Sequence, residues 1–354
     1  MVDSNNSADK ITGRKNNTQK EISMEKDILS QINEKLSDVP RGSYLYIRHP
    51  LGTSRELKQF CDADYPSDVR LKTETYELYP GIELSYQRFL GSQFHFCHRH
   101  GASVLSVDHC KSGRIGWKMH GGLSLYFGSG DLAFHFTDKC LDSEISLPLG
   151  YYEGLSVSLD TEVLKTNRPE LLAEAGADAE ALCRKFCGSK ETAALPASPH
   201  IEHIFSEVYD LPEQLKIPFL KLKCQELLIF LTITEPPCGR TLDLHYSEQV
   251  EIIRQIHDLI TEHPERRYTI EELSRQYLIN TAALKSIFKS VYGMPIASYM
   301  KQFRIAHAAK LLRESDDSIA DIARAVGYES QSKFSAAFKE TMKILPTDYR
   351  RQYK

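Results

Sequence analysis

The sequence predicts an α+β, multidomain chain whose first half is rich in strands and whose last hundred or so residues are all helix. Three observations carry this expectation. Short apolar-alternating runs broken by Gly and Pro fill the stretch from Tyr44 to about Leu159. After Thr161 the apolar residues move to spacings of three and four. Near the end, SIADIARAVGYESQSKFSAAFKE (318–340) repeats the pattern of TIEELSRQYLINTAALKSIFKS (269–290). Alternation is what a strand with one buried face requires, and a three-four spacing is what a helix requires.

At 354 residues, with 41% hydrophobic and 26% charged residues, the chain is long enough to bury two or three cores. The longest apolar stretch, around Leu227 to Thr234, is far short of the roughly 20 residues a membrane helix needs. Residues 1–20 lack the apolar core of a signal peptide, so a cytoplasmic protein without a membrane segment is expected. The eight cysteines are dispersed, which predicts reduced thiols and no disulfide scaffold.

In chain order, residues 1–20 are rich in Asn, Ser, Lys and Asp and are expected to be a disordered tail, because they offer too little apolar surface to offset the entropy of ordering. Residues 21–160 form the strand-rich domain. Its strand candidates are SYLYIRH, ELSYQRF, SVLSVDHC, RIGWKMH, LSLYFGSGDLAFHF and GLSVSLD. Turn chemistry at Lys111-Ser112-Gly113 and at Gly128-Ser129-Gly130-Asp131 suggests an antiparallel β-barrel or sandwich. Residues 161–234 read as helices, PELLAEAGADAEALCRKF and then HIEHIFSEVYDLPEQLKIPFLKLKCQELLIFLTIT. The second is apolar enough that roughly His200 to Leu231 is a candidate dimer contact, the alternative being a helix packed on its own sheet. Residues 235–247, with two prolines and a glycine, read as a linker. Residues 248–354 open with a helix over Glu248–Thr261 and lead into the repeat.

Each repeat unit opens on a capping box, Thr269 with Glu272 and Ser318 with Asp321, in which a hydroxyl and an acid satisfy free N–H groups at a helix start. Asn280 is placed to cap the second helix of the first unit, and Gly327 to end the first helix of the second in a left-handed conformation. Leu284, Phe288, Lys289 and Tyr299 recur fifty residues later as Phe334, Phe338, Lys339 and Tyr349. With the apolar residues facing inward, one helix shows Ala282, Lys285, Ser286 and Lys289 outward. The other shows Gln331, Ser332, Ser335, Ala336 and Lys339. Small, polar and basic faces of this kind fit a DNA major groove, lysines neutralising phosphates while Gln, Ser or Lys reach base edges.

Charge points the same way. The chain carries a net charge of −4, but from Glu251 onward there are 17 Lys and Arg against 13 Asp and Glu, a net of +4. Thr281 to Arg313 holds six cations and no acid, so that surface must be locally positive.

Residues 250–352 resemble the DNA-binding domain of the AraC/XylS family of bacterial transcription regulators, through LKSIFKSVYG, SYMKQFRIAHAAKLL, SIADIARAVGYESQSKFSAAFK and PTDYR. The resemblance implies two helix-turn-helix modules joined by a linker helix, with 281–292 and 331–342 inserted into successive major-groove segments. Ala282, Lys285, Ser286, Gln331, Ser332 and Ala336 carry over as base contacts. Ser286 and Ala336 stand where the family often has arginine, Lys343 replaces a usual glycine, and Pro295 comes one place early. It further implies a cupin-like β-barrel that senses a small-molecule effector, a homodimer, and promoter DNA and RNA polymerase as partners. No catalytic residue and no cofactor are expected, and a ligand-responsive activator is the expected role.

Two further readings of the first half stay open. FHFCHRHGASVLSVDHC sets His95, Cys97, His98, His100, His109 and Cys110 within sixteen residues, a set suggestive of metal or redox chemistry but lacking the carboxylate that a cupin metal site places nearby. Cys183 and Cys187 lie one helical turn apart and are at most half a metal site. Trp117, Tyr126, Phe134 and Phe136 are candidates to line a cavity, with core packing as the alternative. The competing function is a DNA-tethered reactive-cysteine or metal-dependent protein, a repair protein or redox sensor. It would need a four-cysteine zinc cluster, and no Cys-x-x-Cys is present.

Overall fold

The computed structural model describes residues 29–51, 55–61, 66–97, 103–119, 122–136, 142–188, 192–236 and 244–354. Ile32–Ser247 forms one compact unit and Glu248–Lys354 belongs to a second. The expected tail, His98, His100, Cys140, Cys238 and most of the expected linker lie outside the described residues. Within the linker range, His245, Tyr246 and Ser247 are parts of regular elements.

The first unit holds β1 (Ser43–His49), β2 (Glu56–Cys61), β3 (Arg70–Tyr79), β4 (Ile82–Leu90), β5 (Gln93–Cys97), β6 (Val104–Lys118), β7 (Leu123–Gly128), β8 (Leu132–Phe136), β9 (Asp142–Ser146), β10 (Tyr151–Asp160), β11 (Thr192–Leu195) and β12 (His245–Tyr246). One sheet runs β2-β1-β3-β4-β10-β6-β8-β11; the other joins β5, β9, the second half of β6, β7 and β12. The expectation of a closed cupin-like barrel is corrected to an open, two-sheet arrangement among the described residues, since β2 and β11 stand at the edges of the first sheet. The pairing is also mixed, because β1 lies parallel to β3.

β6 carries a second correction. The expected turn at Lys111-Ser112-Gly113 does not reverse the chain. Gly113 adopts φ +83° and a Cβ there would stand 2.3 Å from the Tyr151 carbonyl oxygen. The register against β10 slips beside it, between Glu153 and Gly154. A positive-φ residue with ladder partners continuing on both sides makes a bulge rather than a hairpin, so β6 bends from one sheet into the other. The second predicted turn is real: Gly130 has φ +85°, and the Gly128 N–H donates to Asp131 Oδ2 at 2.9 Å.

One face of the first sheet is apolar. Tyr76, Leu84, Tyr86, Val107 and Leu155 pack there beneath helices, which follow α1 (residues 29–35) as α2 (Thr161–Leu164), α3 (Glu170–Glu174), α4 (Ala179–Phe186), α5 (Pro199–Phe205) and α6 (Lys216–Ile233). Asp178 and Ser198 cap α4 and α5 by accepting from backbone N–H groups. The single long helix expected over 200–234 is broken at residues 206–215, where Pro212 interrupts the ladder with short 3-10 turns. α6 buries Leu220, Leu227, Leu228 and Leu231 to 2% exposure or less, each contributing about 2 kcal/mol of transfer free energy. It is nevertheless apolar outward too, with Leu222 63% and Ile233 76% exposed.

His109 lies under this layer. Its ring stacks on Phe205 at 3.9 Å, and Nδ1 sits 2.8 Å from the Tyr209 hydroxyl. Burial pushes its pKa down to about 3. Cys110, on the opposite side of the strand, is fully buried in the inter-sheet core, and burial pushes its thiol up.

The other face of the first sheet turns toward the second sheet. At one end Phe89, Phe94, Ile115, Phe127 and Tyr152 close an apolar core; toward the other end the two sheets enclose a cavity of about 560 Å³. Among the described residues no helix is long and apolar enough to cross a membrane.

The folded His109 binds its proton well below the ordinary histidine value near 6.5, so the unfolded chain takes it up first as pH falls. Its contribution to stability is complete above about pH 6.5 and is lost on going down toward pH 3, by up to about 1.4 kcal/mol per pH unit. Urea unfolding at pH 7 and pH 5 is expected to show a loss in the native protein that His109→Gln reduces.

Candidate nucleic-acid interface

The second unit contains α7 (Ser247–Glu262), α8 (Ile270–Gln276), α9 (Thr281–Tyr292), α10 (Ile296–Glu314), α11 (Ile319–Ala325), α12 (Gln331–Met342) and α13 (Pro346–Tyr353). The two repeats are α8-α9 and α11-α12. Thr269 and Glu272 complete a full capping box on α8. On α11 the box is half formed: the Asp321 N–H donates to Ser318 Oγ, but the Asp321 carboxylate takes the Ser318 hydroxyl at 2.5 Å. Asp is one methylene shorter than Glu. Asn280 and Ser330 cap α9 and α12, accepting from Ala283 N–H at 2.7 Å and Lys333 N–H at 3.3 Å.

Between the helices the repeats differ. Four residues separate α8 from α9 and five separate α11 from α12, so positions aligned at an offset of 49 before the turn align at 50 after it. Both turns use a left-handed residue one place beyond the C-cap. In the second unit this is Gly327, with φ +80°, followed by a Tyr328 N–H to Ala323 C=O bond of 2.9 Å. In the first it is Leu278, with φ +52° and 93% exposed. At the ends of α9 and α12 the roles reverse. Gly293 has φ +82° and Lys343 φ +64°, so Lys343 adopts the conformation that a glycine would take without strain. Pro295 is accommodated as the N-cap of α10, whereas Pro346 is the first residue of α13.

α10 ties the two repeats together. Its Arg304 donates from Nε to Pro264 C=O at 2.8 Å and from Nη2 to Arg266 C=O at 2.7 Å. A Cβ at Gly327 would come within 2.5 Å of the same Pro264 oxygen, 2.9 Å of the Glu265 oxygen and 3.1 Å of Arg304 Cζ. The turn of the second repeat therefore sits directly on the loop preceding the first. Matched tyrosines hold the ends: Tyr299 OH lies 2.8 Å from His257 Nε2, and Tyr349 OH accepts from Arg313 at 2.6 Å. Burial lowers the pKa of His257, whose ring stacks on Tyr292 at 4.4 Å.

Against this frame α9 buries Leu284, Ile287, Phe288, Val291 and Tyr292, and α12 buries Phe334, Phe338 and Thr341. Opposite them Ala282, Lys285, Ser286 and Lys289 are exposed, as are Gln331, Ser332, Ala336 and Lys339, while Ser335 is half-buried. Lys333, which the sequence reading passed over, is exposed between Ser332 and Phe334 and pairs with Glu329. Other cations nearby are neutralised in the same way, Lys301 by Glu340 and Arg324 by Asp321. Among the described residues Lys285, Lys289 and Lys339 join no such pair. Two helices thus present small and polar side chains beside uncompensated positive charge, chemistry suited to base edges flanked by phosphates.

The proposed histidine and cysteine cluster is not assembled among the described residues. β5, which carries His95, pairs with β9, whereas His109 and Cys110 lie on β6. His109 and Cys110 face opposite sides of β6. Cys187 and Cys224 are buried in the helix-covered core, where Cys183 packs half-buried. Among the described residues no three His, Cys, Asp or Glu side chains group to hold a metal. Of the four aromatics offered for a cavity, Trp117 lines one; Phe134 stacks on Phe186 in the helix-covered core, and Tyr126 is buried.

Residues 273–352 match the family model described as a helix-turn-helix domain. The HTH-type transcriptional activator RhaR of Mannheimia succiniciproducens is 33% identical over 88 residues, 25% of this chain and 32% of that protein. An AraC-like transcription regulator of Streptomyces lividans is 36% identical over 88 residues, 25% of this chain and 29% of that protein. Residues 273–352 are thus a helix-turn-helix domain of the AraC type. The HTH-type transcriptional regulator AlkR of Acinetobacter baylyi is 28% identical over 188 residues, 47% of this chain and 59% of that protein. The chain spans less than two thirds of the length of each of these relatives.

Two predictions follow from the paired turns and the two faces. Leu278→Gly is expected to stabilise the unit by about 0.5–1 kcal/mol, since it relieves a left-handed leucine. Gly327→Ala is expected to cost at least about 2 kcal/mol, through both φ and the Pro264 contact; chemical unfolding of the two variants reads opposite signs. Lys289→Ala and Lys339→Ala are each expected to weaken binding to all DNA sequences alike and to flatten the log–log salt dependence by about one unit. Gln331→Ala should chiefly relax preference at one base pair, by roughly 1–3 kcal/mol. Fluorescence anisotropy across a salt series separates the two behaviours, and unchanged slopes in both lysine variants would contradict the assignment.

Proposed function

We propose that the protein is a sequence-specific DNA-binding transcription regulator, a ligand-responsive activator that reads two adjacent major-groove segments. α9 offers Ala282, Lys285 and Ser286 to base edges in one segment, and α12 offers Gln331, Ser332 and Ala336 in the next. Lys289 and Lys339 neutralise phosphates, with Ser335 half-buried on α12. The observation that carries this reading is the pair of unneutralised, matched helix faces flanking one nineteen-residue helix. At 1.5 Å per residue α10 is about 28 Å long, close to the ~34 Å of one DNA turn. The name of the RhaR relative, an activator, supports activation over repression.

The N-terminal unit supplies the sensor. Its inter-sheet cavity of about 560 Å³ is of a size that holds a small molecule. The outward apolar side of α6, with Leu222 and Ile233 exposed, is the surface that favours a homodimer. Promoter DNA and RNA polymerase are then the macromolecular partners, and the cytoplasm is the place of action.

Genomic footprinting of the tagged protein tests the reading. Discrete sites holding two short motifs about one helical turn apart are expected. Diffuse, salt-labile binding without preferred sequence would overturn it, reducing the repeat to a helical bundle with a basic face.

A further inference from the structure

The cavity between the two sheets has a chemistry of its own. On β3, β4, β6 and β10 the side chains facing it are polar at nearly every alternate position, and the strand register arranges them in two rows. Glu77 pairs with Glu83, Glu83 with Ser158, and Ser158 with Ser106, across from His135 on β8. One step along, Thr75 pairs with Ser85, Ser85 with Ser156, and Ser156 with Asp108. The wall opposite, from the second sheet and its neighbours, is apolar and aromatic: Phe94, Ile115, Trp117, Met119 and Ile145.

Charge in the cavity is one-sided. Among the described residues four carboxylates line it, Glu77, Glu83, Asp108 and Asp160, against one guanidinium, Arg48. Arg48 is shared between Glu77 at 3.2 Å and Glu83 at 2.8 Å, which leaves one charge over on that flank. Asp160 is occupied in capping α2, accepting from Glu162 and Val163 N–H groups. On the far flank Asp108 is 2% exposed, with His135 Nδ1 at 3.1 Å from its Oδ2. Thr73, 7% exposed and lining the same space, has a buried hydroxyl without a hydrogen-bond partner. A buried hydroxyl in that state normally finds a partner in water or ligand.

We infer that the cavity takes a short aliphatic diamine, an organic cation with an ammonium group at each end. Glu83 and Asp108 lie two strands and one row apart, about 12 Å at the backbone, with serine hydroxyls between them. One ammonium pairs with the carboxylates around Arg48 and the other with Asp108. The methylene chain lies along Ile115, Ile145 and the face of Trp117, which also favours a nearby cation. An anion is repelled by the excess of carboxylates. A neutral polyol satisfies the hydroxyls but adds no countercharge to Asp108 beside His135 or to the surplus charge beside Arg48. This inference rests on the reading of the N-terminal unit as the sensor.

The test is thermal melting and calorimetry on the full chain with 1,4-diaminobutane, 1,5-diaminopentane, 1-aminobutane, butane-1,4-diol, succinate and glucose. The diamines are expected to raise Tm and to bind at least about tenfold more tightly than the monoamine, while the diol, succinate and glucose leave Tm unchanged. Asp108→Asn and Glu83→Gln should each weaken diamine binding about tenfold or more; Glu83 is partly exposed at the rim, so Glu83→Gln keeps the test intact should Asp108→Asn not fold. A shift with glucose or succinate in place of the diamines overturns the ligand class and leaves the sensor reading standing. A diamine shift that survives in both folded variants, or no shift with any of the diamines, also overturns the inference. Anisotropy on DNA, run on the same samples, reports separately on the regulator reading.

Discussion

The packing of Gly327 against the Pro264 and Glu265 carbonyls, with the Arg304 guanidinium bridging Pro264 and Arg266, is the contact on which the second unit depends. It sets the turn of one helix-turn-helix directly on the approach to the other. A side chain there would meet backbone, which cannot move aside as a flexible side chain can. The spacing between α9 and α12 is therefore a property of the fold rather than of a linker. Under the proposed function, two faces held in this way would engage DNA as one rigid reader, so the ordering cost that two tethered modules would meet at binding would fall largely on folding.

The two halves of the chain divide their polar residues in opposite ways. In the second unit the burial of Phe334, Phe338, Leu284 and Phe288 drives the small and basic positions outward. In the first, the large sheet places its apolar face under α2–α6 and its polar face inside, toward the second sheet. A polar interior face is costly unless its groups are satisfied. The Thr75–Ser85 bond of 2.6 Å and the Arg48 pairs satisfy part of it. The remainder is concentrated around Thr73 and Asp108, where the proposed ligand would sit.

Much of the second unit was legible in the sequence because its signals are local. Caps, apolar spacing and an approximately fifty-residue offset fix helices within a turn, and α9 and α12 fall at 281–292 and 331–342. What escaped was the one-residue difference between the turns and the strain at Leu278, since propensity alone does not place a left-handed leucine. The first unit was less legible for a physical reason. Alternation names the two faces of a strand but not which one meets water, so it could not show that the Ser and Thr positions of β3, β6 and β10 line a cavity. The turn read at Lys111-Ser112-Gly113 failed because a left-handed glycine serves a bulge as well as a hairpin, and only the pairing of β6 with β10, β7 and β9 decides between them. Of the His and Cys cluster, His95 is set apart from His109 and Cys110 because β5 pairs with β9, while His98 and His100 lie outside the described residues.

The rigid spacing of α9 and α12 is the central claim, and the most direct measurement of it is DNA affinity as a function of the distance between the two motifs. On a footprinted site, base pairs are inserted one at a time between the motifs and binding of the full chain is followed by anisotropy at fixed salt. A rigid double reader predicts that one or two added pairs already reduce affinity to the level of a single motif, with no recovery at a full added turn. Affinity that tolerates such insertions would show that the two helices move independently, and would contradict the account.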